Sequence, residues 1–188
     1  MKRFLLLSPL AALLSVTAAF AGIDKGNGEL GFDVGYTQFD RDIVDEGGAR
    51  LAIRGGYHVT RLFEIEGQAA ASAHYSTDAI LHHGNRRAEI SLATFLLDGV
   101  FNFRSPGGNI VPYVLAGAGT GTLDFQVADA KDSGFAYVIA GGSRFFFGDR
   151  HRTALRLEVS RISIRAFDLT THHVSGTFGF TWRLGHSS

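Results

Sequence analysis

The sequence predicts an all-β fold, namely an eight-stranded antiparallel up-and-down transmembrane β-barrel. Three observations lead to this prediction: apolar and polar residues alternate in eight segments, turn-forming residues separate the segments, and long and short connections alternate along the chain. Alternation with period two indicates strands whose two faces meet different environments. An even number of strands lets a meander close on itself, which leaves no free sheet edge.

The segment Leu96–Gly121 is the clearest instance of this pattern, with a strand, a tight turn and a second strand. Residues 105–109, Ser-Pro-Gly-Gly-Asn, carry the turn, because Pro fixes φ, Gly permits positive φ and Asn tolerates the left-handed region. Two prolines and many glycines argue against a membrane-spanning helix here. The first strand alternates Leu97, Gly99, Phe101 and Phe103 with Asp98, Val100, Asn102 and Arg104, and the second places Val111, Tyr113 and Leu115 on one face.

The connections between the predicted strands differ in length. Long polar loops are predicted at Asp40–Gly48, Ser76–Arg87, Gln126–Ser133 and Ser163–Thr171, and short turns at Thr60–Leu62, Ser105–Asn109 and Gly148–Arg152. Each strand has about the ten residues that cross a bilayer when tilted. Short periplasmic turns and longer outer loops are typical of bacterial outer-membrane barrels. We therefore expect both termini to lie in the periplasm.

The N-terminal segment has the pattern of a secretory signal. Lys2 and Arg3 precede the mostly apolar run Phe4–Leu14, and Ala19-Phe20-Ala21 forms a small-x-small cleavage site. A short membrane anchor is the alternative, but the run is too short and ends in small residues. The sequence thus predicts a signal peptide at residues 1–21 and a barrel domain at residues 22–188.

Composition limits the chemistry that the mature chain can perform. It has no cysteine, which excludes disulfides, thiol redox chemistry and lipid acylation after the cleavage site. Removing Lys2 and Arg3 leaves 16 basic residues against 18 acidic ones, a net charge of −2. Nothing in that balance indicates a nucleic-acid partner.

The aromatic residues indicate which face of the barrel meets lipid. A soluble eight-stranded barrel would turn its apolar face inward around a ligand. Here the apolar face carries large aromatics near strand ends, as expected for girdles at the two membrane interfaces. The predicted girdle consists of Tyr36, Tyr57, Phe63, Tyr75, Phe103, Tyr113, Phe147 and Trp182.

The opposite face carries charges of both signs and is expected to line the lumen. The predicted ion-pair network consists of Asp33, Arg54, His58, Glu64, Glu66, Asp98, Arg144, Arg156 and Glu158. A three-residue turn at Thr60–Leu62 would place His58 opposite Glu64 and Arg54 diagonal to Glu66. The network could be a conducting polar path or an ion-pair core that plugs the barrel. The narrow interior of eight strands favours the plug.

Several stretches resemble the OmpA/OmpX-like outer-membrane β-barrel domain. They are Arg54-Gly55-Gly56-Tyr57, Glu64-Ile65-Glu66-Gly67, Leu97-Asp98-Gly99-Val100-Phe101-Asn102-Phe103 and Pro112-Tyr113-Val114-Leu115-Ala116-Gly117-Ala118-Gly119. The resemblance covers Gly28 to about Leu184. It implies an ionically paired interior that includes Arg54, Glu64, Glu66, Arg156 and Glu158. Family members serve as anchors, adhesins, surface-protection proteins or very small pores, so the resemblance alone does not choose a role.

One departure is that this chain continues from Trp182 through Arg183–Ser188, where such barrels usually end on an aromatic residue.

Two histidine patterns could indicate a catalytic site or a metal site. His173-Val174-Ser175 resembles part of the outer-membrane lipid A deacylase signature, but no acidic residue follows Asp168 to orient the base, and the alternation turns the pair inward. The dihistidines His82-His83 and His172-His173 lie in or beside different loops, whereas a metal needs three or four converging ligands. We expect no catalytic site, metal or cofactor.

The sequence predicts a non-enzymatic barrel of the cell outer membrane with an envelope structural or adhesin-like role through its outer loops. A small passive pore is the alternative, and a lipid A-modifying enzyme is a weaker one. The expected partners are outer-membrane lipids and lipopolysaccharide, the barrel-assembly machinery and an extracellular ligand at the loops. The barrel is expected to be a monomer.

Overall fold

Eight antiparallel strands form a closed barrel in the computed structural model, which describes residues 28–40, 47–74, 90–103, 109–125, 130–148 and 152–184. Each strand pairs with its neighbours in sequence, and β1 also pairs with β8. The fold class that the sequence predicts is therefore confirmed. The strands are β1 Gly28–Gln38, β2 Gly47–His58, β3 Phe63–His74, β4 Ile90–Asn102, β5 Ile110–Phe125, β6 Ala130–Phe147, β7 Thr153–Ala166 and β8 Leu169–Leu184.

The two ends of the barrel differ in their connections. We call the end that holds the connections after β1, β3, β5 and β7 the loop end, and the opposite end the turn end. At the turn end, the Thr60 hydroxyl accepts hydrogen bonds from the backbone N–H groups of Leu62 and Phe63, at 3.3 and 3.0 Å. This fixes the β2–β3 register, in which His58 pairs with Glu64 and Gly56 with Glu66. Arg54 and Glu66 are diagonal neighbours in this register.

Three loop predictions are wrong in their extent. Gln126–Ser133 is partly strand, because β6 begins at Ala130, and β2 begins at Gly47, inside the loop predicted at Asp40–Gly48. Of Ser163–Thr171, only two residues lie outside strands. They are Phe167 and Asp168, with φ of 52° and 58°, the left-handed conformation that a two-residue hairpin turn requires. Polar strand ends that project toward water have the composition of loops, so sequence could not separate the two.

The lumen has an apolar half and a charged half. The apolar half lies at the loop end, on the β4–β7 side, and its buried side chains include Ile90, Leu92, Leu96, Leu123, Val138, Ile162 and Ile164. Buried polar side chains of β1, β2, β3 and β8 face it, among them Thr37, Arg50, Gln68, Ser72 and Ser175. The charged half occupies the middle and the turn end. The sequence prediction described only a polar interior and drew no conclusion from apolar residues, such as Val100, that share the parity of Asp98. Within the described residues, no helix is long and apolar enough to cross a membrane.

Candidate functional site in the barrel lumen

Two arginines and two glutamates form a ring of ion pairs at the centre of the lumen. Arg156 on β7 donates to both carboxylate oxygens of Glu66 on β3, at 2.6 and 3.1 Å. Arg54 on β2 donates to Glu66 at 3.1 Å and to Glu158 at 2.8 Å. Arg156 also donates to Glu158 at 2.8 Å. Each arginine thus bridges both glutamates, and we call these four residues the central ring.

Two further side chains hold the central ring in place. The Arg54 Nε donates to an oxygen of Asp33. The Tyr113 hydroxyl donates to Glu158 at 2.8 Å and accepts from the Arg156 Nε at 2.7 Å, and its ring lies 4.6 Å from the Arg156 guanidinium carbon. Tyr113 was predicted for the aromatic girdle, but it points inward and is only 2% exposed. Both faces of β5 are apolar here, so alternation could not tell the lumen face from the lipid face.

A second cluster fills the lumen at the turn end. Arg144 lies 2.8 Å from an oxygen of Glu64 and 3.6 Å from an oxygen of Glu29. The other Glu29 oxygen is 3.0 Å from His58 and accepts a hydrogen bond from Arg183 at 3.0 Å. These ion pairs join β1, β3, β6 and β8. Buried charges are costly unless they are paired, so each strand depends on the others to keep its charge compensated.

Asp98 differs from the other residues of the predicted network. It is 1% exposed and lies across from Glu66 in the β3–β4 register. In the part of the chain that the structure describes, neither of its oxygens accepts a hydrogen bond and no cation lies within 4 Å. The structure therefore places Asp98 in the lumen but not in an ion pair.

The polar side chains of the lumen that sequence reasoning missed include Glu29, Arg50, Asn102 and Arg183. Arg50 is buried and donates to Gln68 at 3.0 Å, and Arg144 donates to Asn102 at 3.2 Å. Alternation could have found all four, because each shares its strand parity with a residue that was predicted to face inward.

The comparisons with known proteins agree with this geometry. The family described as outer membrane protein beta-barrel domain matches residues 7–182. The chain belongs to this family. It is therefore an outer-membrane β-barrel protein. No curated protein is similar enough in sequence to count as a match.

Three solved outer-membrane barrels are similar in fold. Neisserial surface protein A is 10% identical with a TM-score of 0.66, and the match covers 84% of this chain and 97% of that chain. The N-terminal β-barrel domain of Pseudomonas aeruginosa OprF is 14% identical, TM-score 0.51, with 84% and 100% covered. OprG of the same organism is 12% identical, TM-score 0.52, with 86% and 98% covered. At these identities the likeness concerns the fold alone.

The remaining girdle residues of this outer-membrane barrel lie on the outer wall where the structure describes them. Tyr36 is at the loop end of β1, and the others are at the turn end: Tyr57, Phe63, Phe103, Phe147 and Trp182. Tyr57 is half-buried and the other five are exposed. Tyr75 lies outside the described residues. Five of the six described residues that point outward from the predicted girdle thus lie at the turn end.

The histidine patterns do not assemble a reactive site among the described residues. His173 and Ser175 both point into the lumen, but His173 bonds to Thr171 at 3.0 Å and Ser175 to Thr37 at 2.8 Å. His82 and His83 lie outside the described residues. Glu29, His58 and Glu64 place ligand atoms within 4.8 Å of one another, which is close enough for a metal ion. Two arginines of the turn-end cluster already supply positive charge to these carboxylates.

Proposed function

We propose that this protein is a non-enzymatic outer-membrane barrel whose closed lumen is structural and whose loop end meets partners outside the cell. A cleaved signal peptide at residues 1–21 would bring it to the periplasm, and the turn end would remain there. The role that follows is envelope stabilisation or adhesin-like surface interaction.

The filled lumen is the observation that carries this proposal. Ion pairs cross its centre, and apolar side chains together with hydrogen-bonded polar ones fill its loop-end half. An eight-stranded barrel has an interior only wide enough for its own side chains. A path for solutes would have to open both layers, so the surface is the better place to look for function.

Single-channel recording of the refolded mature chain in a planar bilayer tests the closed lumen. We expect no steady conductance. Steady openings of the wild-type barrel would contradict the proposal and favour the small passive pore. The charged half of the lumen is the feature that favours this second candidate, because it joins the turn end to the centre.

Loop replacement tests the surface role separately. The predicted loop Ser76–Arg87 offers the longest stretch, and a Gly/Ser segment of equal length keeps the barrel while it removes the loop's chemistry. We expect cells that express this variant to lose binding to host cells or matrix, with equal amounts of folded barrel in the membrane. Replacing the short turn at Gly148–Arg152 is the matched control. A mass shift of lipid A on expression would instead indicate an enzyme.

A further inference from the structure

A groove runs along the outer wall where β6, β7 and β8 meet, with a volume of ≈ 610 Å³. At its centre Val159 pairs with Gly141 on one side and Gly176 on the other. A Cβ added at Gly176 would meet nothing within 4 Å, and one at Gly141 would meet only the Tyr113 carbonyl oxygen at 3.9 Å. Phe145, Leu157 and Phe178 complete its apolar walls. The groove is therefore open to the surrounding lipid.

Two arginines follow the groove on the same outward face of β7, toward the loop end. Arg161 is the next outward residue after Val159, about 7 Å along the strand, and Arg165 is about 13 Å farther. Both are exposed. Arg161 pairs with Ile139 on β6 and Val174 on β8, so its strand neighbours are apolar. Within the described residues, no carboxylate lies within 4 Å of either arginine.

The outward face of the strands is otherwise nearly uncharged. Its other charged side chains, in the described ranges, are Asp124 and Lys131, which lie 3.9 Å apart and offset each other. An arginine on the lipid face costs about 2–4 kcal/mol at the bilayer midplane and about 0–1 kcal/mol near the interface. Arg161 and Arg165 thus fit the interface at the loop end, where they leave two positive charges without a protein partner.

We propose that these arginines and the groove bind a phosphorylated lipid of the outer leaflet, the lipid A part of lipopolysaccharide. Guanidinium groups bind phosphate through paired hydrogen bonds. An acyl chain fits the groove, because its lining is mostly apolar, with Ser143 among the polar exceptions, and Arg161 is the next outward residue of β7 after Val159. His172 on β8, half-buried and hydrogen-bonded at 2.8 Å to the buried Ser163, lies between the two arginines and adds a polar group. This site is on the wall, so it does not depend on the chemistry of the loops or on a closed lumen, but it rests on the proposed orientation that puts the loop end in the outer leaflet.

Native mass spectrometry of the refolded barrel with purified diphosphoryl lipid A measures this binding directly. We expect the double variant Arg161→Gln/Arg165→Gln to bind at least about tenfold more weakly, the scale of one lost charge-assisted contact. Gly176→Val fills the groove without a clash inside the barrel and should also weaken binding. Arg61→Gln, at an exposed position of the opposite end, is the matched control and should bind as the wild type does. Gel mobility of the unheated barrel verifies that each variant is folded.

Three results would overturn the site. The double variant could bind lipid A as tightly as the wild type, Arg61→Gln could lose as much affinity, or lipid A without its phosphates could bind equally well. Unchanged binding by Gly176→Val would overturn the assignment of the acyl chain to the groove.

Discussion

Glu66 and Asp98 are neighbouring buried carboxylates with opposite surroundings. Glu66 contacts Arg54, Arg156 and Arg144, whereas Asp98 has no cation within 4 Å among the described residues. Removing one partner of a buried pair leaves the other charges uncompensated, so Glu66→Ala should lower the free energy of unfolding by about 3–5 kcal/mol. Urea unfolding of the refolded barrel measures this loss. Unchanged urea resistance would contradict a structural role for the central ring.

Asp98→Asn is the matched variant for that comparison. It keeps the shape of the side chain and removes a charge that has no ion pair in the described part of the barrel. Because burial of an unpaired charge is unfavourable, we expect unchanged or greater resistance to urea. A loss as large as that of Glu66→Ala would show that Asp98 is held by a cation that the present geometry does not place beside it.

Tyr113 depends on a glycine in the neighbouring strand. A Cβ added at Gly142 would lie 2.3 Å from the Leu157 carbonyl oxygen and 2.5 Å from the Tyr113 hydroxyl oxygen, so Gly142→Ala should strain the β6–β7 backbone and push the phenol away from Arg156 and Glu158. We expect a loss of about 1–3 kcal/mol in the free energy of unfolding, as for overpacking of a core. Gly176→Ala is the control, because it meets nothing within 4 Å. Equal urea midpoints for the two variants would argue against this contact.

At the scale of residues, sequence alternation located the charged side chains of the lumen but misplaced Tyr113. Eight of the nine predicted network residues make ion contacts within 4 Å, because most charged residues of the strands share the parity of the lumen face. Arg161 and Arg165, on the outward face of β7, are exceptions. Tyr113 was misplaced since an amphipathic side chain suits either face. Its hydroxyl partners come from β7, and no local pattern reveals a contact between residues 45 positions apart.

At the scale of elements, the turn of the β7–β8 hairpin consists of two residues that differ from the pair usually found in such turns. Phe167 and Asp168 both have left-handed φ, where Asn-Gly is the preferred pair. Phe167 is held by the Asp132 carboxylate, which accepts its N–H, and by the ring of Phe125 with centroids 5.8 Å apart. These contacts with residues distant in sequence offset part of the strain. Sequence reasoning predicted a long loop there because no Asn-Gly pair marks the turn.

Replacing Phe167-Asp168 with Asn-Gly should therefore stabilise the hairpin. A left-handed conformation costs an ordinary residue about 1–2 kcal/mol, and Asn or Gly avoids most of that cost. We expect the variant to gain about 1 kcal/mol in the free energy of unfolding, net of the lost Phe125 contact. Phe167→Ala alone removes the ring contact but keeps the strain, so it should be less stable than the wild type. A less stable Asn-Gly variant would mean that the ring contact outweighs the strain.

For the barrel as a whole, the central ring forms a charged layer and the apolar half forms a second layer, and each layer blocks the lumen independently. The sequence revealed the charged layer, but the apolar layer was missed, although Leu92 and Leu96 share the strand parity of Asp98 and therefore belong to the inward face. Both are nearly fully buried and point inward beside Ile162 and Ile164. Since each layer spans the narrow interior, opening one should leave the other closed.

This arrangement predicts how conductance responds to combined mutations. Glu66→Ala alone should remain silent in a planar bilayer, because the apolar half still fills the loop end. Leu92→Ala/Leu96→Ala alone should also remain silent, because the central ring is intact. The triple variant removes part of both layers and should show steady openings, provided that gel mobility shows a folded barrel. Openings in the Glu66→Ala barrel would show that the ion pairs are the only barrier, and a folded triple variant without openings would show that the packing re-forms around the lost side chains.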